Sequence, residues 1–461
     1  MTATRLTALD ASFLEAETPT AHMHVGWAAL FDPPVDGRRP TFDELLAHIA
    51  SRMARAPRYR QKLAQIPLGA AEPLWVDDTN FRIERHVRRS QRDDLSGLID
   101  DVMSRRLRRD RPLWELWIAD ELADGRLGIV GKAHHCMVDG LAAVELATLL
   151  LDPEPEPAAP PRDAWRPAPP PGPLGLLAGG IASRAQGAMN AATAVPLYLA
   201  RNPGEITRAP ELAAKAGRAL VDSVRPGAGM SRFTGDGSPL RHLATASRPL
   251  DDLRSIARGT GTSVNDVLLA ATAGGVRQFE LERGGEPRPL KTMVPVSVRA
   301  SDGQDELGNR IAFMFIDIPC DEPAPRRRLE RVAAEMGSRK ENGHPEGADF
   351  LLRLLGLTPR TVQHVLNRLV SSPRTFDIVV SNIPGPRPPL WMLGCELREA
   401  YPVVPMADSH AVSIGMTTVR DDVFLGVYAD REALPDGDRL AELIDGAFDQ
   451  LGALVAEPVL A

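Results

Sequence analysis

The chain has 461 residues, of which 43% are hydrophobic and 25% charged, as is typical of a globular protein large enough for two domains. Its formal net charge of −7 argues against a general nucleic-acid binder, because attraction to polyphosphate requires a basic surface. Three scattered cysteines indicate neither a disulfide framework nor a Cys-x-x-Cys metal clip. The residues after Met1 contain no long apolar stretch, so we expect no secretory signal peptide and a cytoplasmic location.

The first strong pattern along the chain is an apolar strand followed by two histidines. Residues 127–130 predict a short buried strand, and residues 141–150 predict the apolar face of a helix that begins near Asp139. Neighbouring side chains of an extended chain point to opposite faces, so we predict that one histidine is structural and the other chemical. The residues at this strand-to-helix corner are His134, His135, Asp139 and Gly140.

This group of residues suits proton transfer. A nearby helix N-terminus disfavours the imidazolium, so a histidine here would stay an unprotonated base near neutral pH. Asp139 has three open roles, which are to cap the helix, to hold a cation or to orient the imidazole. Gly140 would let a substrate approach the backbone closely. A single histidine is more often a structural residue, so it is the whole constellation that indicates a site.

A proline-dense stretch separates the two halves of the chain. Residues 152–173 can neither continue a helix nor join a central strand, which predicts a linker and crossover over 152–235 between an N-terminal domain, 1–151, and a C-terminal domain, 236–461. Residues 174–200 are rich in alanine and glycine but too interrupted by polar residues for a membrane span. We expect either a helix packed on the body or an amphipathic surface element that contacts lipid.

Strands and helices alternate again in the second half. Helices are predicted over 253–256 and 264–273, the second capped by Ser263 or Asn265. Strands are predicted over 293–298, 311–318, 376–380 and 424–428. The pattern predicts an α/β fold of two domains, each a mixed sheet with helices packed on it, and an active site in the cleft between them.

The order of the motifs resembles one known family. His-His-x-x-x-Asp-Gly at 134–140 is the signature of the coenzyme A-dependent acyltransferase superfamily, which includes the condensation domains of peptide synthetases. Over nearly its whole length the chain resembles the bacterial wax ester synthase/acyl-CoA:diacylglycerol acyltransferase family of actinobacteria. The segments that support this narrower resemblance are residues 8–14, 112–114, 264–267, 294–299, 308–309 and 381–386.

The resemblance implies transfer of a long-chain acyl group from acyl-CoA to diacylglycerol, or to a long-chain alcohol, without a cofactor. His135, the second histidine of the motif, would take the proton of the alcohol and return it to the departing CoA sulfur. No Gly-x-Ser-x-Gly elbow is present, so direct transfer in a ternary complex is expected. The insoluble acceptor and product imply peripheral association with the inner membrane face or lipid droplets.

Several further residues receive roles as hypotheses. Asn265 is a candidate donor to the oxyanion, and its alternative is a helix cap. Asp139 and Arg299 are expected to form an ion pair, because an unpaired buried carboxylate is costly. The turn-rich loop over 381–386 is expected to shape the substrate channel. Its candidate substrate-binding residues are Ser381, Asn382 and Gly385.

The segment before the histidines also contains candidates. Pro112 and Trp114 are expected to fix the chain where it enters a strand, with Trp114 in the core. The basic run over 105–111 is interpreted either as a site for CoA phosphates or lipid headgroups, or as a solvated helix face. Cys136 adjoins His135, but no reactive environment for its thiol is visible in the sequence.

Three alternative functions remain open at this level. A zinc enzyme would use His22, His24 and one of the paired histidines, although no helical His-x-x-x-His is present. A condensation domain acting on carrier-bound substrates shares the histidine motif. A non-catalytic lipid-associated scaffold would keep the fold without needing His135.

Overall fold

The computed structural model describes residues 4–34, 37–138, 149–157, 159–160, 162–201, 221, 231–297, 311–341 and 375–456. These residues form two six-stranded sheets, one three-stranded sheet and the helices that pack on them. The strands are β1 Thr4–Arg5, β2 His24–Asp32, β3 Gln61–Ala64, β4 Leu74–Asp77, β5 Val87–Arg89, β6 Trp114–Ala119, β7 Leu127–His134, β8 Arg241–Pro249, β9 Leu290–Ser297, β10 Ile311–Ile318, β11 Ile378–Ile383, β12 Trp391–Met392, β13 Cys395–Val403, β14 Val412–Val419 and β15 Asp422–Asp430.

The helices of the described residues alternate with these strands, as the sequence pattern predicts. They are α1 Ala8–Ala16, α2 Phe42–Arg52, α3 Leu95–Met103, α4 Pro173–Arg201, α5 Leu250–Thr260, α6 Val264–Glu282, α7 Pro325–Glu341 and α8 Gly437–Ala456. No helix among them is long and apolar enough to cross a bilayer.

The first large sheet draws strands from both halves of the chain. Its order is β12-β13-β2-β7-β6-β5, and β13 pairs with β2 in antiparallel register from Glu396 opposite Asp32 to Val403 opposite Gly26. The expectation that each half builds its own sheet is therefore wrong for β12 and β13. The strand alternation could not reveal this, because a strand joins whichever edge offers an unpaired ladder, regardless of its position in sequence.

The second large sheet has the order β10-β9-β11-β14-β15-β8 and is mixed, because β11 runs parallel to both β9 and β14. Its core is apolar and is shared with helices α5, α6, α7 and α8. β13 also packs against β14 and β15, so one strand of the first sheet contacts the second. The predicted mixed sheets flanked by helices are confirmed.

The predicted strands and helices that fall within the described residues are found, two of them with longer bounds. The helix predicted over 141–150 lies outside the described residues except for its last two positions. β7 continues past residue 130 to His134, because β2 and β6 pair with it on both sides. Gly131 permits this close packing, since a Cβ there would lie 2.6 Å from the ring of Trp27. Helix α6 runs to Glu282, and its cap is Ser263, whose hydroxyl accepts the backbone N–H of Asp266 in a capping box.

Candidate active site

The paired histidines lie where β7 leaves the first sheet. The backbone N–H of His134 donates to the carbonyl of Leu113 at 2.9 Å, and that of His135 donates to the carbonyl of Met23 at 2.9 Å. The segment over 112–114 therefore holds the histidine corner by its backbone. Trp114 itself is 1% exposed and donates its indole N–H to the carbonyl of Tyr59, so it is a core residue.

His134 has a fixed ring orientation. Its Nδ1 accepts the backbone N–H of Cys136 at 3.1 Å, which leaves the proton on Nε2 in the neutral ring. Nε2 lies 3.4 Å from Oε2 of Glu17, a close ionic contact outside hydrogen-bond geometry. Burial lowers the pKa of His134. With one nitrogen committed to the backbone and the other facing a carboxylate, His134 has the surroundings of a structural histidine.

Glu17 is the site residue that the sequence pattern did not reveal. Its side chain is 3% exposed and receives the guanidinium groups of Arg106, at 2.9 Å from Nε to Oε1, and of Arg109, at 3.0 Å from Nε to Oε2. Burial alone would raise the pKa of Glu17, but His134 and the two arginines lower it to about 2. Glu17 is therefore an anion that joins the end of α1 to the histidine corner.

These contacts correct the interpretation of the basic run. The segment over 105–111 follows the end of α3 as a loop and is no solvated helix face. Arg106 and Arg109 pair with Glu17, and Arg108 pairs with Asp110. A local reading of the charges missed the pairing because Glu17 lies far away in sequence.

His135 has a different environment from that of its neighbour. Its ring stacks on Phe13 with centroids 3.7 Å apart and an interplanar angle of 7°. Its Nδ1 is buried and has no hydrogen-bond partner among the described residues, while the residue as a whole keeps part of its surface exposed. Burial lowers the pKa of His135 to about 4, so the ring is neutral at physiological pH. Burial accounts for the predicted neutral state, and the helix predicted to begin near Asp139 lies outside the described residues.

Further buried nitrogen groups lie on β2, directly before β2 and on β7. His24 faces His134 across the β2–β7 pair, and its ring is 5.3 Å from that of His22. Burial lowers the pKa of His22 to about 4 and that of Lys132 to about 8. No group of three or more His, Cys, Asp or Glu side chains in the described ranges has the arrangement of a metal site.

An apolar cavity of about 70 Å³ lies where β2 and β13 of the first large sheet meet β11 and β14 of the second. Its wall on β2 begins at Val25, two residues after the Met23 carbonyl that holds His135. Gly385 lines it where the chain runs against the carbonyl of Thr418, a position at which a Cβ would lie 1.8 Å from that oxygen. Other lining residues are Trp27, Leu150, Leu151, Ile383, Leu397 and Pro402.

Comparison with known proteins identifies the family. Residues 6–268 match the model of the wax ester synthase/diacylglycerol acyltransferase catalytic domain, and residues 307–452 match the model of the WS/DGAT C-terminal domain. The chain belongs to this family. The resemblance predicted from the motifs is therefore confirmed, and acyltransferase chemistry is the family's activity.

Relatives within the family cover nearly the whole chain. A Mycobacterium tuberculosis protein named as a probable diacylglycerol O-acyltransferase, tgs1, is 32% identical over 97% of this chain and 96% of its own length. A second protein of that organism, named as probable diacylglycerol O-acyltransferase tgs2, is 30% identical over 96% of this chain and 97% of its own length.

Solved structures share the WS/DGAT fold. The wax ester synthase/diacylglycerol acyltransferase from Marinobacter aquaeolei VT8 has a TM-score of 0.69 at 24% identity and covers 98% of this chain and 100% of its own. The first condensation domain of the calcium-dependent antibiotic synthetase has a TM-score of 0.62 at 17% identity, over 100% of this chain and 98% of its own. At these identities the likeness concerns the fold alone.

The remaining site predictions have different outcomes. Asp139, Gly140 and Arg299 lie outside the described residues, so the proposed ion pair stays a prediction. Asn265 is half-buried in the first turn of α6, where Ser263 rather than Asn265 is the cap. Its role as an oxyanion donor also stays a prediction.

The predicted loop over 381–386 is shorter than expected. Ser381 and Asn382 belong to β11, in parallel register with Gly415 and Met416 of β14, so the loop begins only after Ile383. Ser381 is buried and Asn382 is exposed. Proline and glycine occupy positions 384–386, but backbone pairing with β14 extends the strand as far as Ile383.

Burial settles the position of Cys136. The residue is 2% exposed, and burial raises the pKa of its thiol well above the ordinary value, so the thiol stays protonated and unreactive.

Proposed function

We propose that this chain transfers a long-chain acyl group from acyl-CoA to the free hydroxyl of diacylglycerol, yielding triacylglycerol and CoA. The observation that carries the proposal is the environment of His135, a neutral imidazole that stacks on Phe13 directly after the end of a central strand. The names of the two mycobacterial relatives favour diacylglycerol as the acceptor. Long-chain alcohols are the second acceptor class, because the family model covers both activities.

The chemistry assigned to His135 is general-base catalysis. The imidazole accepts the hydroxyl proton while the acceptor oxygen bonds to the thioester carbon, giving a tetrahedral oxyanion. The carbon–sulfur bond then breaks, and the imidazolium returns the same proton to the sulfur, so that alcohol and thioester become ester and thiol. A positioned base of this kind contributes about 10² to 10⁴ in rate. Stacking on Phe13 restricts the ring to one plane and so favours a productive orientation.

His134 and Glu17 are assigned positioning roles. Their contact ties the end of α1 to the end of β7, and α1 also contributes Phe13 to the His135 stack. The ring that stacks on His135 and the carboxylate that contacts His134 are therefore both positioned by the same short helix. The acyl chain is assigned to the apolar cavity, where the aliphatic side chains of Leu150, Leu151 and Ile383 have no hydrogen-bonding groups to compete with an alkyl chain.

The acceptor and product are insoluble in water, so we place the protein on a lipid surface as a peripheral protein, at the inner membrane face or on lipid droplets. Attachment by an amphipathic surface requires no spanning segment.

Release of CoA from palmitoyl-CoA tests the proposal. Wild-type protein, the His135→Ala variant and the Cys136→Ala variant are assayed with dioleoylglycerol and with hexadecanol separately, and the lipid products are identified. We expect acceptor-dependent release in the wild type, a loss of about 10² to 10⁴ in His135→Ala and near-normal release in Cys136→Ala.

Each contrary result has a separate meaning. Release unaffected by His135→Ala in folded protein would contradict the assigned base. Absence of release with both acceptors, together with transfer from a carrier-bound thioester, would replace the proposal by condensation-type chemistry.

A further inference from the structure

In the part of helix α4 whose side chains are described, residues 173–186 and 189, the helix packs on the body by one narrow face. Gly180 is its buried contact, and a Cβ there would lie 3.0 Å from Ile66 and 3.3 Å from Ala71. The helix also contacts the turn Pro67–Gly69. A glycine at the contact brings the helix backbone close to its neighbours, so a small area is enough to dock it and the opposite face remains open.

The open face of α4 carries a continuous apolar stripe. Leu174 is 83% exposed, Ile181 57% and Met189 62%. Their spacings of seven and eight residues place them on one side of an α-helix, because two turns take about seven residues. Ala178 and Ala185 fall between them on the same side and are also exposed. A large apolar stripe that faces solvent is unusual and marks an interaction surface.

A further exposed apolar side chain stands on the turn against which α4 packs. Leu68 is 94% exposed and has a positive φ of 60°, an uncommon conformation for leucine. Four of the seven large apolar side chains that are exposed in the described part of the chain thus belong to α4 and this turn. We call Leu68, Leu174, Ile181 and Met189 the apolar patch.

The charges of α4 identify the kind of surface that the patch fits. Between Pro173 and Arg201 the sequence contains two charged residues, Arg184 and Arg201, and no acidic residue, although the whole chain is net negative. A helix whose apolar stripe is accompanied by an exposed cationic side chain, here Arg184, suits the interface of a membrane with anionic headgroups, because acyl chains accept the stripe and headgroups attract the guanidinium.

The patch is connected to the catalytic corner through the N-terminal segment. Arg5 donates to the carbonyl of Glu72 at 2.7 Å and to that of Gly179 in α4 at 3.4 Å. Three residues later the chain enters α1, which brings Phe13 to His135 and Glu17 to His134. The open helix and the reacting histidine are therefore attached to the same short piece of chain.

From these observations we infer that the apolar patch seats the enzyme on an anionic phospholipid surface, from which it draws its acceptor. The inference rests on the proposed function for the nature of the acceptor, but the binding itself does not depend on catalysis.

Vesicle co-sedimentation tests the inference. The full chain is mixed with vesicles of phosphatidylcholine and phosphatidylglycerol, or of phosphatidylcholine alone. The test variant combines Leu174→Ser, Ile181→Ser and Met189→Ser, and the matched control combines Leu240→Ser and Leu281→Ser, which are exposed leucines elsewhere on the surface. We expect the test variant to lose about tenfold or more in partitioning and the control to bind like the wild type, with tighter wild-type binding to the anionic vesicles.

Activity with two acceptors separates this inference from the proposed function. The test variant should retain CoA release with a short, water-soluble alcohol and lose it with vesicle-embedded dioleoylglycerol. Unchanged vesicle binding of the folded test variant would overturn the inference, as would a concentration-dependent dimer, abolished by the same substitutions, in place of vesicle binding. Absence of acyl transfer by the wild type, with patch-dependent vesicle binding intact, would overturn the proposed function alone. If circular dichroism shows that the triple variant is unfolded, the single Ile181→Glu variant replaces it, with the same expected result.

Discussion

The histidine corner buries charged and polar groups, whereas helix α4 exposes apolar side chains, so both regions depart from the usual distribution in a globular protein. At the corner, an anion and several nitrogen groups are buried, with Glu17 and His134 both 3% exposed or less. On α4, leucine, isoleucine and methionine face solvent. Buried charge is costly unless it is paired, and exposed apolar surface is costly unless something covers it. The comparison indicates that the first region is completed within the chain and that the second is completed by a partner.

The largest effect is expected where a buried ion pair loses one member. Arg52 and Asp152 join α2 to the proline-rich segment, with side chains 1% and 3% exposed and a distance of 2.6 Å from Nη2 to Oδ2. Asp152→Ala should lower the free energy of unfolding by about 3 to 5 kcal/mol, because the guanidinium stays buried and loses the carboxylate that pairs with it. The matched control is Asp163→Ala, which breaks a pair with Arg60 whose carboxylate is 46% exposed and should cost about 1 kcal/mol or less. Equal losses in urea denaturation would contradict the dependence on burial.

Glu17→Gln should have a smaller effect on stability and a clear one on turnover. It removes the charge shared by Arg106, Arg109 and His134 and should lower the free energy of unfolding by about 1.5 to 3 kcal/mol. CoA release should fall as α1 loses its hold on the corner. The exposed pair of Glu121 with Arg39 provides the control, Glu121→Gln, which should change neither quantity appreciably. Wild-type turnover in Glu17→Gln would remove Glu17 from the positioning residues.

A histidine outside the corner should make stability depend on alkaline pH. His242 of β8 lies 3.1 Å from Asp100 of α3 and 3.0 Å from Asp438 of α8, and hydrogen bonding to Asp100 and then to Asp438 raises its pKa to about 9. The folded state therefore binds the proton more tightly than the unfolded state, so this stabilisation is complete below pH 6.5 and is lost as pH rises through about 9. His242→Gln should flatten that decline, measured by thermal unfolding between these values. An identical decline in the variant would contradict the assignment.

The smallest stability effect is expected on the open face of α4. Ile181→Ala removes an apolar side chain that is 57% exposed and should change the free energy of unfolding by less than about 0.5 kcal/mol. Ile129→Ala in β7, where the side chain is 0% exposed, should cost about 2 to 5 kcal/mol. A large stability loss in Ile181→Ala would show that the stripe is covered within the protein itself.

The sequence predicts elements whose chemistry is local. The strand before His134, the helix capped by Ser263 and the strand over 311–318 follow from hydrophobic periodicity and capping residues, which neighbouring residues determine. These predictions succeed because each depends on contacts within one element or one turn. The role of His135, which the family signature assigns from a short segment, stays a prediction.

Long-range contacts account for what the sequence did not reveal. Glu17 reaches His134 across the fold, and β13 joins the first sheet from the second half of the chain. The basic run over 105–111 contains no sign, within its own residues, that Arg106 and Arg109 pair with Glu17. Ser381 and Asn382 resemble turn residues in the sequence. Nothing in their own segment indicates the pairing with β14 that keeps them extended.

The pH dependence of kcat/KM for CoA release tests the buried neutral base most directly. Because burial lowers the pKa of His135 to about 4, the wild-type enzyme should hold a constant kcat/KM from about pH 8 down to about pH 5.5, and His135→Ala should lack activity throughout. A midpoint near 6.5, the ordinary value for histidine, would show that the base titrates as an exposed imidazole and would contradict the assignment of buried His135 to that role.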